Sequence, residues 1–178
     1  MPILTRVSSL SPALSLALCF AGPSLCQEPA QQSPARTHVL MTLDSVRWTS
    51  RPQLPGLSVA VLEGDPNVAG SAYTIWVKAT EGMPGAVLPA HWHPTDERIV
   101  VLRGVMGVGM GEVFDRTRGR EYPAGSYVML PARMRHFAWV RGETIMQVYG
   151  VGPFVTCFIN PSEDPAGSAA PRPATCKP

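Results

Sequence analysis

The chain has 178 residues, 45% of them hydrophobic and 16% charged, with a formal net charge of +2. That is the size and composition of one domain with a buried core, and it excludes wholesale disorder. The 19 prolines and 16 glycines exclude a helical bundle or coiled coil, since a helix interior loses roughly 3 kcal/mol at each Pro and about 1 kcal/mol at each Gly, and so small a net charge gives no electrostatic case for nucleic acid or an anionic membrane as partner.

Residues 1–26 have the order of a signal peptide. Arg6 supplies the positive start, Leu14–Phe20 (LSLALCF) the short apolar run, and Ser24 and Cys26 the small residues before a cleavage point. The run is well short of the roughly 20 residues that cross a bilayer, so the expectation is export, to a periplasm or outside the cell, and not a membrane anchor. Residues 27–36 (QEPAQQSPAR) read as a polar linker and residues 37–160 as the folded unit. Residues 161–178 hold Pro161, Pro165, Pro171, Pro173 and Pro178 and almost no large apolar side chain; such a segment buries too little to offset its ordering entropy and reads as a flexible tail. Cleavage after Cys26 leaves Cys157 and Cys176. An oxidising compartment permits a bridge between them, but their spacing is not diagnostic, and the preferred reading is a buried free Cys157 with Cys176 loose in the tail.

Within 37–160, short apolar runs rich in Val, Ile, Tyr and Trp alternate with Gly and Pro. The runs are Val46–Thr49, Leu57–Leu62, Tyr73–Lys78, Ala86–His91, Arg98–Leu102, Val105–Val113, Ser126–Leu130, Phe137–Val140, Thr144–Tyr149 and Val155–Ile159. These are strand signals, and no stretch has sustained helical periodicity. About ten short strands in some 120 residues predict an all-β jelly-roll barrel.

Three of the four histidines fall in one constellation. His91 and His93 are two residues apart, so on a strand both imidazoles face one side while Trp92 faces the other. Pro94 ends or bends that strand, and Glu97 can swing back beside the histidines. Two imidazoles and a carboxylate suit a divalent Fe, Mn, Ni, Cu or Zn ion. His136, near the start of a later strand, is a fourth candidate that a hairpin-rich barrel can bring alongside. His38 reads as a surface residue.

These residues carry a resemblance. Gly85, His91, His93, Glu97 and Gly104 match every spacing of the first cupin motif, G-x5-H-x-H-x3-E-x6-G. Gly125, Pro131 and His136 resemble the second, G-x5-P-x-G-x2-H-x3-N, with Arg133 in place of its second Gly and Val140 in place of its Asn. The chain is similar to small exported single-domain cupins over about residues 55–150. The resemblance implies a cupin-type double-stranded β-helix with one divalent metal ion inside one end, held by His91, His93, Glu97 and His136. It names no activity, because one fold hosts many functions.

Arg98, Arg103, Arg133 and Arg135 lie near these positions and read as solvated turn residues rather than a lip for an anionic substrate. Phe137 and Trp139 read as packing, and Met106, Val108 and Met110 as facing the barrel interior, where Met fills irregular space. Residues 107–111 (GVGMG) precede no helix and are not a nucleotide motif. The function expected is that of an exported metal-binding cupin acting on a small molecule, with Fe(II)-dependent dioxygenase chemistry preferred. The alternatives are a non-catalytic small-molecule or metal-binding barrel, a Mn, Ni or Zn Lewis-acid isomerase, decarboxylase or hydrolase, and a structural role. A homodimer is the default assembly.

Overall fold

The computed structural model describes residues 38–51, 54–164 and 174–176. The signal peptide and linker read from residues 1–36 lie outside the described residues, as do 165–173 and 177–178 of the segment read as a tail. The described elements are β1 (Thr49–Ser50), β2 (Leu57–Gly64), β3 (Ala72–Thr80), β4 (Val87–Trp92), β5 (Glu97–Met110), β6 (Gly119–Pro123), β7 (Tyr127–Leu130), β8 (His136–Val151) and β9 (Cys157–Phe158), with short 3-10 turns and no α-helix among them. No helix among the described residues is long and apolar enough to cross a membrane.

Every strand pairing is antiparallel. One path runs β1-β2-β3-β8-β4-β9, and β5 pairs with β6, β7 and β8. The long strands β5 and β8 are paired from Arg98↔Tyr149 to Met110↔His136, and the sheet curls about them. The all-β jelly-roll class expected from the sequence is the class observed.

The strand boundaries differ where glycine was read as an ending. Arg98–Leu102 and Val105–Met110 are parts of one strand, β5, which stops short of the Val113 read from the sequence, and Phe137–Val140 and Thr144–Tyr149 are parts of another, β8. Gly104 (φ 77°) and Gly142 (φ 69°) take left-handed backbone, which glycine adopts without a Cβ clash, and the β5–β8 register shifts around Arg103. Each strand bends there instead of stopping. The buried Thr144 hydroxyl secures the bend by accepting from the Val105 N–H at 3.1 Å and lying 3.1 Å from the Val105 carbonyl. Strand β6 (GREYP) was not anticipated. It is polar and ends in Pro123, which an edge strand tolerates, and it pairs with β5 alone.

Alternation decides what faces inward. On β3, Tyr73, Ile75, Val77 and Ala79 are buried; on β5, Glu97, Ile99 and Val101 are. Residues 136–140 of β8 are buried without a break, because both faces are covered. Ala138 and Val140 join the core cluster inside. Phe137 and Trp139 pack outside it under Phe114, with ring centroids 5.2 and 6.1 Å away, and opposite Gly107 and Gly109, where any side chain would collide with the two rings. Packing is thus their role, as read. Met106 and Val108 are buried, but Met110, the last residue of β5, is 45% exposed and does not join them.

The reading of the cysteines needs correction. Cys157 and Cys176 form a disulfide, with Cα atoms 5.3 Å apart, and both are buried. Spacing carried no sign of this. The pairing depends on β9 lying along β4, with Cys157 opposite Trp92 and Phe158 opposite His91, and on the short turn Ala174–Cys176 meeting it.

Candidate metal centre

His91 on β4 lies opposite His136 on β8 in the strand register, so the pleat points both rings to one side. Their ring centroids are 4.1 Å apart. His93 follows β4 by one residue, with ring centroids 5.1 Å from His91 and 5.4 Å from His136. The three offer one ligand atom each within 4.8 Å of one another, a group that could hold a metal ion. Glu97 opens β5, and its Oε2 lies 3.4 Å from His93 Nε2 and 3.7 Å from His136 Nε2. All four side chains are buried; Glu97 is not a surface turn residue.

Each imidazole is held from behind. The Nδ1 atoms of His91, His93 and His136 lie 2.6, 2.8 and 3.0 Å from the carbonyl oxygens of Pro89, Val155 and Met134. A carbonyl oxygen only accepts, so each Nδ1 carries the hydrogen and each Nε2 keeps its lone pair. Burial holds His93 down to about 4, the Val155 carbonyl opposing. Burial likewise lowers His91 well below the ordinary imidazole range, aided by the neighbouring His136 and His93, and lowers His136 against the pull of Glu97. All three rings are therefore neutral near pH 7. Burial raises the Glu97 carboxyl to about 7, with His136 opposing. The Tyr73 hydroxyl, buried without a hydrogen-bond partner, is pushed up by burial and by Glu97.

The site thus gathers three imidazole lone pairs and a carboxylate. Four acceptors facing one another are unfavourable unless a cation, or a proton kept on Glu97, lies among them.

The chain following β8 closes one side. Phe154 stacks on His93 at 5.0 Å between centroids, and Phe158 packs on His91 at 5.8 Å. With Val155 and Tyr73, these supporting residues were not legible in the sequence, since no spacing relates residue 155 to residue 93. The turn before His136 persists despite Arg133. That residue takes left-handed backbone (φ 64°), donates its N–H to the His93 carbonyl at 2.8 Å and lays its guanidinium over Trp92 at 5.1 Å. Arg98, Arg103 and Arg135 pair with Asp96, Glu143 and Glu112. None of these four arginines lines the cavity at the centre, but Arg98 and Arg103 lie within β5 and not in turns as read. His38 is exposed, as expected.

The four groups lie in the wall of a cavity of about 370 Å³ inside the barrel. Much of the hydrophobic core lines this space rather than filling it: Leu57, Val59, Ile75, Val77 and Met146 all face it.

Residues 36–155 match the family described as the ChrR cupin-like domain. The chain belongs to this cupin family. No curated protein matches this cupin in sequence. Among solved structures it is similar to an acetylacetone dioxygenase from Acinetobacter johnsonii (TM-score 0.55, 16% identity, covering 73% of this chain and 82% of that one). It is also similar to a putative acetylacetone dioxygenase from Methylibium petroleiphilum (0.54, 18%, 74% and 87%) and to the polyketide cyclase RemF from Streptomyces resistomycificus (0.51, 20%, 75% and 91%). At these identities the likeness establishes the cupin fold alone.

Proposed function

We propose that this cupin is an exported metal-dependent enzyme acting on a small molecule, with His91, His93, His136 and Glu97 as the ligands of one divalent ion and Fe(II)-dependent dioxygenase chemistry as the preferred reaction. The observation that carries the metal reading is the set of three Nδ1–carbonyl contacts, which leaves three Nε2 lone pairs converging beside a buried carboxylate. Outer carbonyl partners that fix imidazole orientation are the usual support of a histidine metal site. A divalent ion there would supply Lewis acidity, and iron in addition a route for oxygen chemistry.

The protein's own part is positional. Phe154 and Phe158 restrict the imidazole rings. The apolar walls keep bulk water from the reacting molecule, which strengthens every electrostatic contact inside. Glu97 would ligate as the carboxylate, giving up the proton that burial otherwise keeps on it to about pH 7. Export is supported by the pattern of residues 1–26 and by the Cys157–Cys176 bridge, since disulfides persist in oxidising compartments.

The test is elemental and mass analysis of protein purified from its native source. About one metal per chain is expected, with residues 1–26 removed and the metal lost in His91→Ala. Iron, with oxygen consumed alongside substrate, supports the dioxygenase; zinc, nickel or manganese supports the Lewis-acid alternative. Full metal retention in His91→Ala refutes the ligand assignment.

A further inference from the structure

We infer that the Cys157–Cys176 bridge is a positioning device of the metal centre: it keeps the Val155 carbonyl behind His93, so that cutting the bridge weakens metal binding without removing a ligand. The inference rests on the metal reading above and follows from how each imidazole is braced. His91 and His136 are held from within their own segments, by the carbonyls of Pro89 and Met134, each two residues away. Of the three, only His93 is held from a distant part of the chain, by the Val155 carbonyl 62 residues on, at 2.8 Å. Phe154 of the same segment stacks on the His93 ring. The orientation of one ligand therefore depends on where residues 154 and 155 are kept.

Few bonds besides the bridge keep them there. Residues 153–156 belong to no strand. On one side the Phe154 N–H donates to the Pro66 carbonyl at 2.6 Å. On the other lies β9, two residues long, at the end of the sheet path and paired with β4. One further bond follows it, from the Ile159 N–H to the Ala90 carbonyl at 2.9 Å. So short an edge opens at small cost in free energy. The bridge ties Cys157, two residues after Val155, to the buried Cys176. A covalent tie at that point limits how far the Val155 carbonyl can leave the His93 ring. A ring freed from its outer partner samples orientations that turn Nε2 away from the ion, and loss of such a partner weakens metal binding about tenfold to a hundredfold.

The variant Cys157→Ala/Cys176→Ala has no bridge and leaves no thiol there to bind a metal. Val128→Ala, a truncation in the core on β7 away from the cavity lining, is a destabilised control with the bridge intact. Each purified protein is titrated with Co(II), followed by visible absorption and by competition with a chelator. In the metal-free proteins, NMR measures the exchange of the three Nδ1 hydrogens. The native protein should bind one Co(II) per chain. The double variant should also bind one, but about tenfold or more weakly and with an altered spectrum, and Val128→Ala should bind as the native protein does. The His93 Nδ1 hydrogen should exchange about tenfold faster in the double variant, with those of His91 and His136 unmoved. Cutting the native bridge with a dithiol, which becomes a disulfide as Cys157 and Cys176 each gain a hydrogen, should speed the same exchange. Native affinity and spectrum in the double variant, native exchange at His93, faster exchange of all three hydrogens together, or an equal loss of affinity in Val128→Ala overturns this inference and leaves the metal centre standing. No Co(II) bound by the native protein, or native binding in His91→Ala, overturns the metal reading and this inference together.

Discussion

Replacing Cys176 with Ala should destabilise the barrel by about 3 kcal/mol. The bridge joins residues 19 apart, and the chain-entropy relation for a loop of that length gives about 11 cal/mol/K, or about 3 kcal/mol at room temperature. For a domain of this size that is a fall in Tm of roughly 10 °C. Alanine suits the buried site because it adds no hydroxyl to be desolvated. Scanning calorimetry of Cys176→Ala, and of the native protein with and without reductant, gives the comparison. Reductant should lower the native protein's Tm to near that of the variant and leave the variant unmoved. Metal stoichiometry should persist, because none of the four proposed ligands lies on β9 or the turn it is bridged to, although the Val155 carbonyl behind His93 belongs to the segment leading into β9. A variant within about 2 °C of the native protein would show that the bridge constrains nothing that unfolding releases.

Metal affinity should depend on pH through Glu97. Its carboxyl holds a proton up to about pH 7 in the metal-free protein and must lose it to ligate, whereas His93 is already neutral down to about 4. Affinity should therefore rise about tenfold per pH unit up to 7 and flatten above it, with about one proton released per ion at pH 6. Glu97→Gln should flatten the profile between pH 6 and 8; a flat native profile would remove Glu97 from the ligand set. At position 133, Gly and Ala both lose the guanidinium over Trp92, but only Ala keeps the left-handed strain. Arg133→Gly should be more stable than Arg133→Ala by about 1 kcal/mol in urea unfolding, and equal midpoints and slopes would mean that φ of +64° costs nothing there.

The spacing His91-x-His93-x3-Glu97 was enough to face two imidazoles to one side and to set a carboxylate beside His93, because the two-residue period of a strand orients residues 91 and 93 alike and a single turn returns residue 97. Short strands without helical periodicity were enough for the all-β class. The rest depended on contacts between residues distant in the chain. His136 meets His91 only because β8 runs beside β4. The hydrogen on His93 Nδ1 is set by a carbonyl 62 residues away. The bends at Gly104 and Gly142 were read as ends, since glycine punctuates a chain in the same way whether a strand stops or turns through it. Cys157 found Cys176 only once β9 had paired with β4. Local periodicity is written into neighbouring residues and can be read directly from them; the orientation of a ring, the neutrality of a buried base and the pairing of two thiols arise from closing loops over long separations, and only the folded barrel brings those partners within bonding distance.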